Sequence, residues 1–493
     1  MHTHTGRNSN KHMPAKFLSM DSVQTRSQLQ GTALRVADVL RERGVSAGDR
    51  VVLKAGNSAG FVAVLLGLMH IGASVALLDQ LQRAEESGRA AAQARARLAV
   101  VDDDAPEVPG PPRLFVYELL AAAAERRPTD EQIRFDTWER LPDALITWSS
   151  GSTGEPKGIV KSGRPVLRNL RRTIEFMRYR ADDVLLPLLP FSHQYGLSLL
   201  LIAWLADASL VVAPYRRLDR AVRMAGQAGV TVVDATPATH RSLLNLVERR
   251  PELAADLSGV RMYCTGGAPL DQSAAARFAT VFGRPLLDGY GSTEMGNIAA
   301  ALPENPVGAG QVFPGVVVRI TDDAALPLPP GAIGELRIRT PDAFSGYLSP
   351  GGEIVPAVSE WYSPGDLGSM DGDGNLFVLG RKSAVHRMGY TLYPDIIERK
   401  AAECGAPVQV VPQPDERLGS RLVFLVEDPE ERASRYWRER ICELLPAYEQ
   451  PNKVVVVGKF PLNHNGKTDT RRILRLADSA VDERTEAADA LSG

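Results

Sequence analysis

Apolar and polar residues recur along this chain with two periods. Leu29, Ala33, Val36, Ala37 and Leu40 fall three or four apart and share one face of a helix, which Gly44 stops. Arg50–Lys54 is a short run of strand length. Asn57 is placed to cap a helix through Ile71 that is apolar nearly all round, so the helix is predicted to be buried. Ala73–Leu78 and Leu98–Val101 again read as strands. The rhythm returns at 207–213, 219–229, 231–234 and 237–249, where Thr236-Pro237 supplies a cap and a first-turn proline. Helices alternating with short apolar strands predict an α/β fold with parallel-type sheets covered by helices.

After about residue 306 the texture changes. Val307–Ile320 and Gly334–Arg339 are strand-rich, with a Pro329-Pro330-Gly331 turn between them, which predicts a β-subdomain. A smaller α+β unit follows residue 380 and ends near an Asn465-Gly466 turn. The expected organisation is a polar tail over 1–25, a large domain over 26–380, a C-terminal domain over 384–476 and an acidic, Ala-rich tail over 477–493. His2, His4 and His12 have no acidic or Cys companions and read as part of the first tail rather than as a metal site.

Composition narrows the function classes. Basic and acidic residues number 57 and 59, so no net charge favours nucleic acid or an anionic membrane. The apolar stretch Leu197–Leu205 ends at Ala206-Asp207 and is too short to span a bilayer. Cys264, Cys404 and Cys442 are far apart and odd in number, which suits a reducing cytoplasm better than a disulfide framework.

Candidate chemistry starts at 146–160, ITWSSGSTGEPKGIV. A Gly/Ser/Thr loop between two apolar runs argues for an anion cradle over a linker. Small residues let backbone N–H groups converge on phosphate oxygens, and hydroxyls add donors. It is not a P-loop of the G-x-x-x-x-G-K-[ST] kind, because Pro156 stands where the second Gly belongs. Other stretches of unusual composition follow. PFSHQYG (190–196) sets one His among Pro, aromatics and Gly. GGAP (266–269) is a tight turn after the predicted strand Arg261–Cys264. DGYGSTE (288–294) puts an aromatic between glycines, then hydroxyls and a carboxylate. WYSPGDLGSMDGDGNLFVLGR (361–381) holds Asp366 in a turn and ends on Gly380-Arg381, and PLNHNGK (461–467) presents one lysine.

In this order and at these spacings the stretches resemble the adenylate-forming superfamily of acyl- and aryl-CoA synthetases, peptide-synthetase adenylation domains and beetle luciferases. The resemblance runs from about Leu34 to Leu474. It implies that a carboxylate and Mg-ATP give acyl-AMP and pyrophosphate, after which a thiol displaces AMP. Ser150, Gly151, Ser152, Thr153 and Gly154 would then hold the β- and γ-phosphates. Lys157 would add charge there, or would merely be a solvated lysine closing the loop. Gly267, Ala268, Gly289 and Tyr290 would form the adenine slot, with Asp288 accepting from the adenine amino group. Thr293 would donate to the α-phosphate and Glu294 would hold Mg²⁺. Asp366 would take both ribose hydroxyls, and Arg381 would reach ribose and phosphate. Lys467 would bridge the attacking carboxylate and the α-phosphate, a transition-state contact. His193 would line or gate the acid pocket, the alternative being an ordinary wall residue. Lys382, within a hinge over 381–383, would let the small mobile domain present either of two faces.

The chain departs from the family pattern in places. RKSAVHRMGY (381–390) is one residue short, and His386, near Gly389, falls where many relatives carry a lysine at the thiol half-site. VKSGR (160–164) lacks a customary His, and Pro364 replaces a Thr. CoA, a carrier protein's phosphopantetheine arm and an amine therefore all stay open as acceptors. Ser192-His193 follows Phe191 where amino-acid-activating relatives carry an Asp, which argues for an apolar fatty or aryl acid. A non-catalytic nucleotide-binding relative is disfavoured by the presence of Glu294, Asp366, Arg381 and Lys467 together. His240, inside a predicted helix, is expected at the surface.

Overall fold

The computed structural model describes residues 15–20, 22–129, 131–150, 156–357, 359–381, 385–387, 390–415, 418–445, 449–463 and 468–489. The fold is mixed α/β. The chain divides into two compact units: Met1–Asp234, Arg250–Arg261 and Asp342–Val358 form one, and Ala235–Arg249, Met262–Pro341 and Ser359–Gly493 the other.

The first unit holds an eight-stranded sheet. Arg50–Lys54 lies between Ser74–Leu77 and Leu98–Val101, all parallel. Leu145–Ser150 runs parallel to Ser74–Leu77 and then turns back as Pro156–Lys161, in a register that ends at Ser150↔Pro156. The two strands that flank the Gly/Ser/Thr loop in sequence are thus an antiparallel pair. A second set of strands places Val184–Pro187 between Ser209–Val212 and Val232–Ala235, again parallel. Lys16–Ser19 joins it beside Ser209–Val212 with Phe17 buried. That corrects the expected tail, which reached residue 25: its apolar KFLS run finds a sheet edge to pair with.

The helix Arg26–Glu42 buries the predicted face and opens with a capping box between Thr25 and Gln28. It packs on Ala59–Ile71, which is buried on almost every residue. The two backbones come so close that a Cβ on Gly67 would lie 2.9 Å from the Ala33 carbonyl oxygen. The cap of Ala59–Ile71 is Ser58, whose Oγ accepts from the Phe61 amide at 3.0 Å. Asn57, the expected cap, is engaged elsewhere: its Nδ2 donates to the Leu189 carbonyl and its Oδ1 accepts from the Phe191 amide, each at 2.8 Å. It thereby fixes the start of PFSHQYG. Ser58→Ala should destabilise the protein by about 1 kcal/mol, since one buried-end amide loses its acceptor. Denaturant titration of both proteins checks this, and an unchanged midpoint would contradict it.

In the second unit, Met262–Gly266 runs parallel to Leu286–Ser292, which pairs antiparallel with Gly296–Ala300. The predicted β-subdomain is a four-stranded sheet, Val317–Thr321, Gly334–Arg339, Asp366–Met370 and Leu376–Arg381. Beyond it, Val408–Asp415, Gly419–Glu427 and Lys453–Val457 form a three-stranded sheet buried on both faces. Leu422 and Phe424 meet Ile397, Trp437 and Ile441 on one side. Val423 and Leu425 meet Phe460, Ile473 and Ala477 on the other. Two further expectations are corrected here. The last helix spans Thr470–Asp489, past the expected tail boundary at 477, because Ile473 and Ala477 anchor one face of it. His240 is buried rather than at the surface. Its Nε2 donates to the Cys264 carbonyl at 2.9 Å, its ring meets Tyr263 and Phe278 edge-on, and burial lowers its pKa to about 4.

Candidate active site

In the second unit the ends of two parallel strands bring DGYGSTE and GGAP together. Thr265 stands opposite Asp288, and Gly266 opposite Gly289. Gly267 then turns the chain at φ +83°, a backbone state that other residues avoid. Ala268 follows on that turn. Residues 288 and 290 alternate onto one side of their strand. The Tyr290 hydroxyl donates to Asp366 Oδ2 at 2.5 Å, which joins two motif residues 76 positions apart. Asp366 is itself placed by the Gly365 turn (φ +76°) and by pairing opposite Arg381. Thr293 and Glu294 lie in the turn after the strand, closed by the Ser292 hydroxyl accepting from the Met295 amide at 3.0 Å. Asp288, Gly267, Ala268, Gly289, Tyr290, Thr293, Glu294 and Asp366 therefore fall in one unit, as does the backbone of Arg381.

Burial pushes the Asp288 carboxyl from an ordinary 3.8 up to about 7, against the Gly289 amide that donates to it and the Arg399 charge beside it. Arg399 is the neighbour that the motifs do not announce. A folded value above the unfolded one means that this carboxyl favours folding below about pH 4 and loses that contribution as the pH rises through about 7. Asp288→Asn cannot ionise, so it should gain thermal stability relative to wild type between pH 5 and pH 8. Melting curves of both proteins across that range check the sign. A difference that stays flat or falls would contradict it.

The first unit carries the other motifs. Residues 151–154 of the phosphate loop lie outside the described residues, but the strands that carry the loop are fixed by the Ser150↔Pro156 register. Lys157 sits just past the loop, exposed, with Nζ 5.7 Å from the Tyr347 ring centroid. His193 is the cap of the buried helix Gln194–Leu205, and its Nδ1 accepts from the Tyr195 amide at 3.4 Å. That contact ties the ring to the first turn of its own helix. Ser192 Oγ donates to Asp79 at 3.2 Å. The Tyr195 hydroxyl donates to Asp234 at 3.0 Å, a residue not singled out in the sequence, where it is one acid in the apolar run VTVVDA.

The remaining expected residues are only partly covered. Within the shortened run and just past it, Val385–Arg387 and Tyr390–Leu392 pair antiparallel, with His386 opposite Thr391. Gly389, Lys382 and Lys467 lie outside the described residues, as do the side chains of Arg381 and His386. Leu462 and Thr468, on either side of Lys467 in sequence, form an antiparallel bridge. For Mg²⁺ the donor chemistry fits: Glu294 is a half-buried carboxylate on a turn, and this ion usually takes one or two carboxylates with the rest from phosphates and water.

A family model described as AMP-binding enzyme matches residues 7–348. Indoleacetate–CoA ligase of Aromatoleum aromaticum is 30% identical over 482 residues, covering 91% of this chain and 92% of that protein. The fatty acid–acyl-carrier-protein ligase ScoC of Streptomyces coeruleorubidus is 28% identical over 476 residues, covering 92% and 91%. The structure of an ATP-bound RpMatB-BxBclM chimera B3 is similar with a TM-score of 0.83 at 25% identity, covering 96% of each chain.

Proposed function

This chain belongs to the AMP-binding enzyme family, and from that premise we propose which of its residues perform each step of an acid–thiol ligation. The chain is an AMP-forming ligase of the acyl-CoA synthetase type, joining a carboxylic acid to a thiol at the expense of ATP. The Tyr290–Asp366 hydrogen bond carries the site assignment, because it unites an aromatic suited to adenine with a carboxylate suited to ribose.

In the first step a carboxylate oxygen attacks the α-phosphorus, and the bond to the pyrophosphate oxygen breaks. Two anions must meet, so donors and cations are needed where charge gathers. Gly267, Ala268, Gly289 and Tyr290 border the adenine, and Asp288 accepts from its amino group. Asp366 holds the ribose, held in turn by the Tyr290 hydroxyl. Thr293 donates to the α-phosphate, and Ser150–Gly154 with Lys157 receive the β- and γ-phosphates. Glu294 is the carboxylate that would hold Mg²⁺, which when bound offsets phosphate charge. Arg381 reaches ribose and phosphate, and Lys467 spans carboxylate and α-phosphate. In the second step the sulfur of CoA attacks the acyl carbon, the thiol proton is lost, and AMP leaves. His386 and Gly389 belong to this half-reaction, with Lys382 as the hinge between the two states.

The substrate is an apolar acid, bounded by His193, Tyr195 and the aliphatic helix behind them. Indoleacetate in the name of a relative that covers nearly the whole chain supports an aryl acid and CoA. The acyl-carrier-protein ligase among the relatives supports a second acceptor, a carrier protein's phosphopantetheine arm. No described helix is long and apolar enough to cross a membrane, and a cytoplasmic setting fits the chain's thiols. Pyrophosphate release with a panel of fatty and aryl acids, each run with hydroxylamine and again with CoA, tests the reading. Acyl-CoA product is the expected result. Hydroxamate without acyl-CoA would move the acceptor to a carrier protein or an amine, and no pyrophosphate with any acid would overturn the reading.

A further inference from the structure

The strand Val232–Ala235 is buried throughout, yet it carries a carboxylate, and Asp234 is only 2% exposed. Its Oδ1 accepts from the Tyr195 hydroxyl. Its Oδ2 has no hydrogen-bond partner among the described residues. A buried acceptor left unmatched is costly, and more so when charged, so an orphan of this kind calls for an explanation. Burial raises the Asp234 carboxyl to about 7, and the Tyr195 hydroxyl works in the opposite direction. Folding alone would be served better by an apolar residue here.

The position of Tyr195 supplies the explanation. It is the second residue of the helix that His193 caps, so Asp234 backs the wall to which the acid pocket has been assigned. Gln194, between His193 and Tyr195, adds another buried acceptor without a described partner: its Nε2 donates to Ser198 at 3.2 Å while its Oε1 is unmatched. A wall of aliphatic residues would take a plain hydrocarbon tail. A wall with unmatched buried acceptors takes a ligand that brings a donor.

We propose that Asp234, held by Tyr195, is a specificity residue that accepts a hydrogen bond from a hydroxyl or amino group on the substrate, so that the preferred acids are aryl acids carrying such a donor. This rests on the acid-pocket reading of the His193–Tyr195 wall. The discrimination should be large. A site built to bond a donor rejects analogues lacking it far more strongly than an apolar pocket rejects a missing methylene.

The test is pyrophosphate release by the full-length protein with benzoic and phenylacetic acids. Each ring position would be compared as the parent, the hydroxy acid, the amino acid and the methyl ether, with octanoate and decanoate alongside. At one ring position the hydroxy or amino acid should exceed both parent and ether in kcat/KM by about 100-fold. In Asp234→Leu that ratio should fall below about threefold, and Asp234→Asn, which keeps an acceptor, should retain part of it. A methyl ether or a plain fatty acid used as well as every donor acid by the wild type would overturn the proposal, and that comparison needs no variant. Equal loss for donor, ether and parent in Asp234→Leu would also overturn it, by marking a purely structural role. Pyrophosphate release without donor preference leaves the ligase reading standing. No release with any acid overturns both.

Discussion

Asp366→Ala is expected to lower kcat/KM for ATP by roughly 30- to 140-fold, equivalent to about 2–3 kcal/mol for hydrogen bonds between a carboxylate and two ribose hydroxyls. The geometry gives this residue little freedom. It is 8% exposed, follows the Gly365 turn, and shares a short hydrogen bond with Tyr290. A carboxylate held in this way meets ribose without first paying to order its own rotamers. Loss of activity alone would not separate a ribose contact from a lost prop for Tyr290, but 2′-deoxy-ATP does. Wild type should discriminate against it, and Asp366→Ala should discriminate much less, since the hydroxyl then has no partner to lose. Equal penalties for ATP and 2′-deoxy-ATP would show that Asp366 acts through Tyr290. Tyr290→Phe is the companion variant, because it removes the hydroxyl and keeps the ring.

Much of the fold is legible in the sequence where one physical signal dominates. The helix Arg26–Glu42 has both an apolar stripe and a capping box, and the strands Arg50–Lys54 and Leu98–Val101 are short apolar runs set between polar turns. Misreadings arise where adjacent residues compete or a distant partner decides. Asn57 and Ser58 are both good caps, and tertiary contacts with Leu189 and Phe191 draw Asn57 away. His240 reads as a surface residue because its neighbours in sequence are polar. Its acceptor, the Cys264 carbonyl, lies 24 residues later and makes the buried position affordable.

The site divides along the same line. GGAP and DGYGSTE are local patterns, and the strand register that sets Gly266 against Gly289 brings them together as their compositions suggest. What cannot be read locally is pairing across distance: Tyr290 with Asp366, Arg399 beside Asp288, and Tyr195 with Asp234. Asp234 is the clearest case. A single acid in VTVVDA is indistinguishable from a strand-end residue turned to solvent until its burial and its unmatched oxygen are known.

Lys467→Ala should have the largest effect and the most selective one. Adenylation should slow by a factor on the order of 10²–10³, the usual loss when one group aimed at developing charge is removed. The reaction of preformed acyl-AMP with CoA should continue at close to the wild-type rate. The reasoning is electrostatic: the attacking carboxylate and the α-phosphate repel each other until a cation spans them, and that need ends once the adenylate exists. ATP binding should change little, because the contact belongs to the transition state. The described residues on either side of Lys467 in sequence are tied together by the Leu462–Thr468 bridge and by the Asp469 amide donating to the Pro461 carbonyl at 2.8 Å. A shared melting temperature for wild type and variant checks that the replacement is a local change. Single-turnover measurements of the two half-reactions decide the matter. Equal loss in both would mean that Lys467 serves the fold or both steps alike, and the assignment of separate faces to separate half-reactions about Lys382 would fall with it.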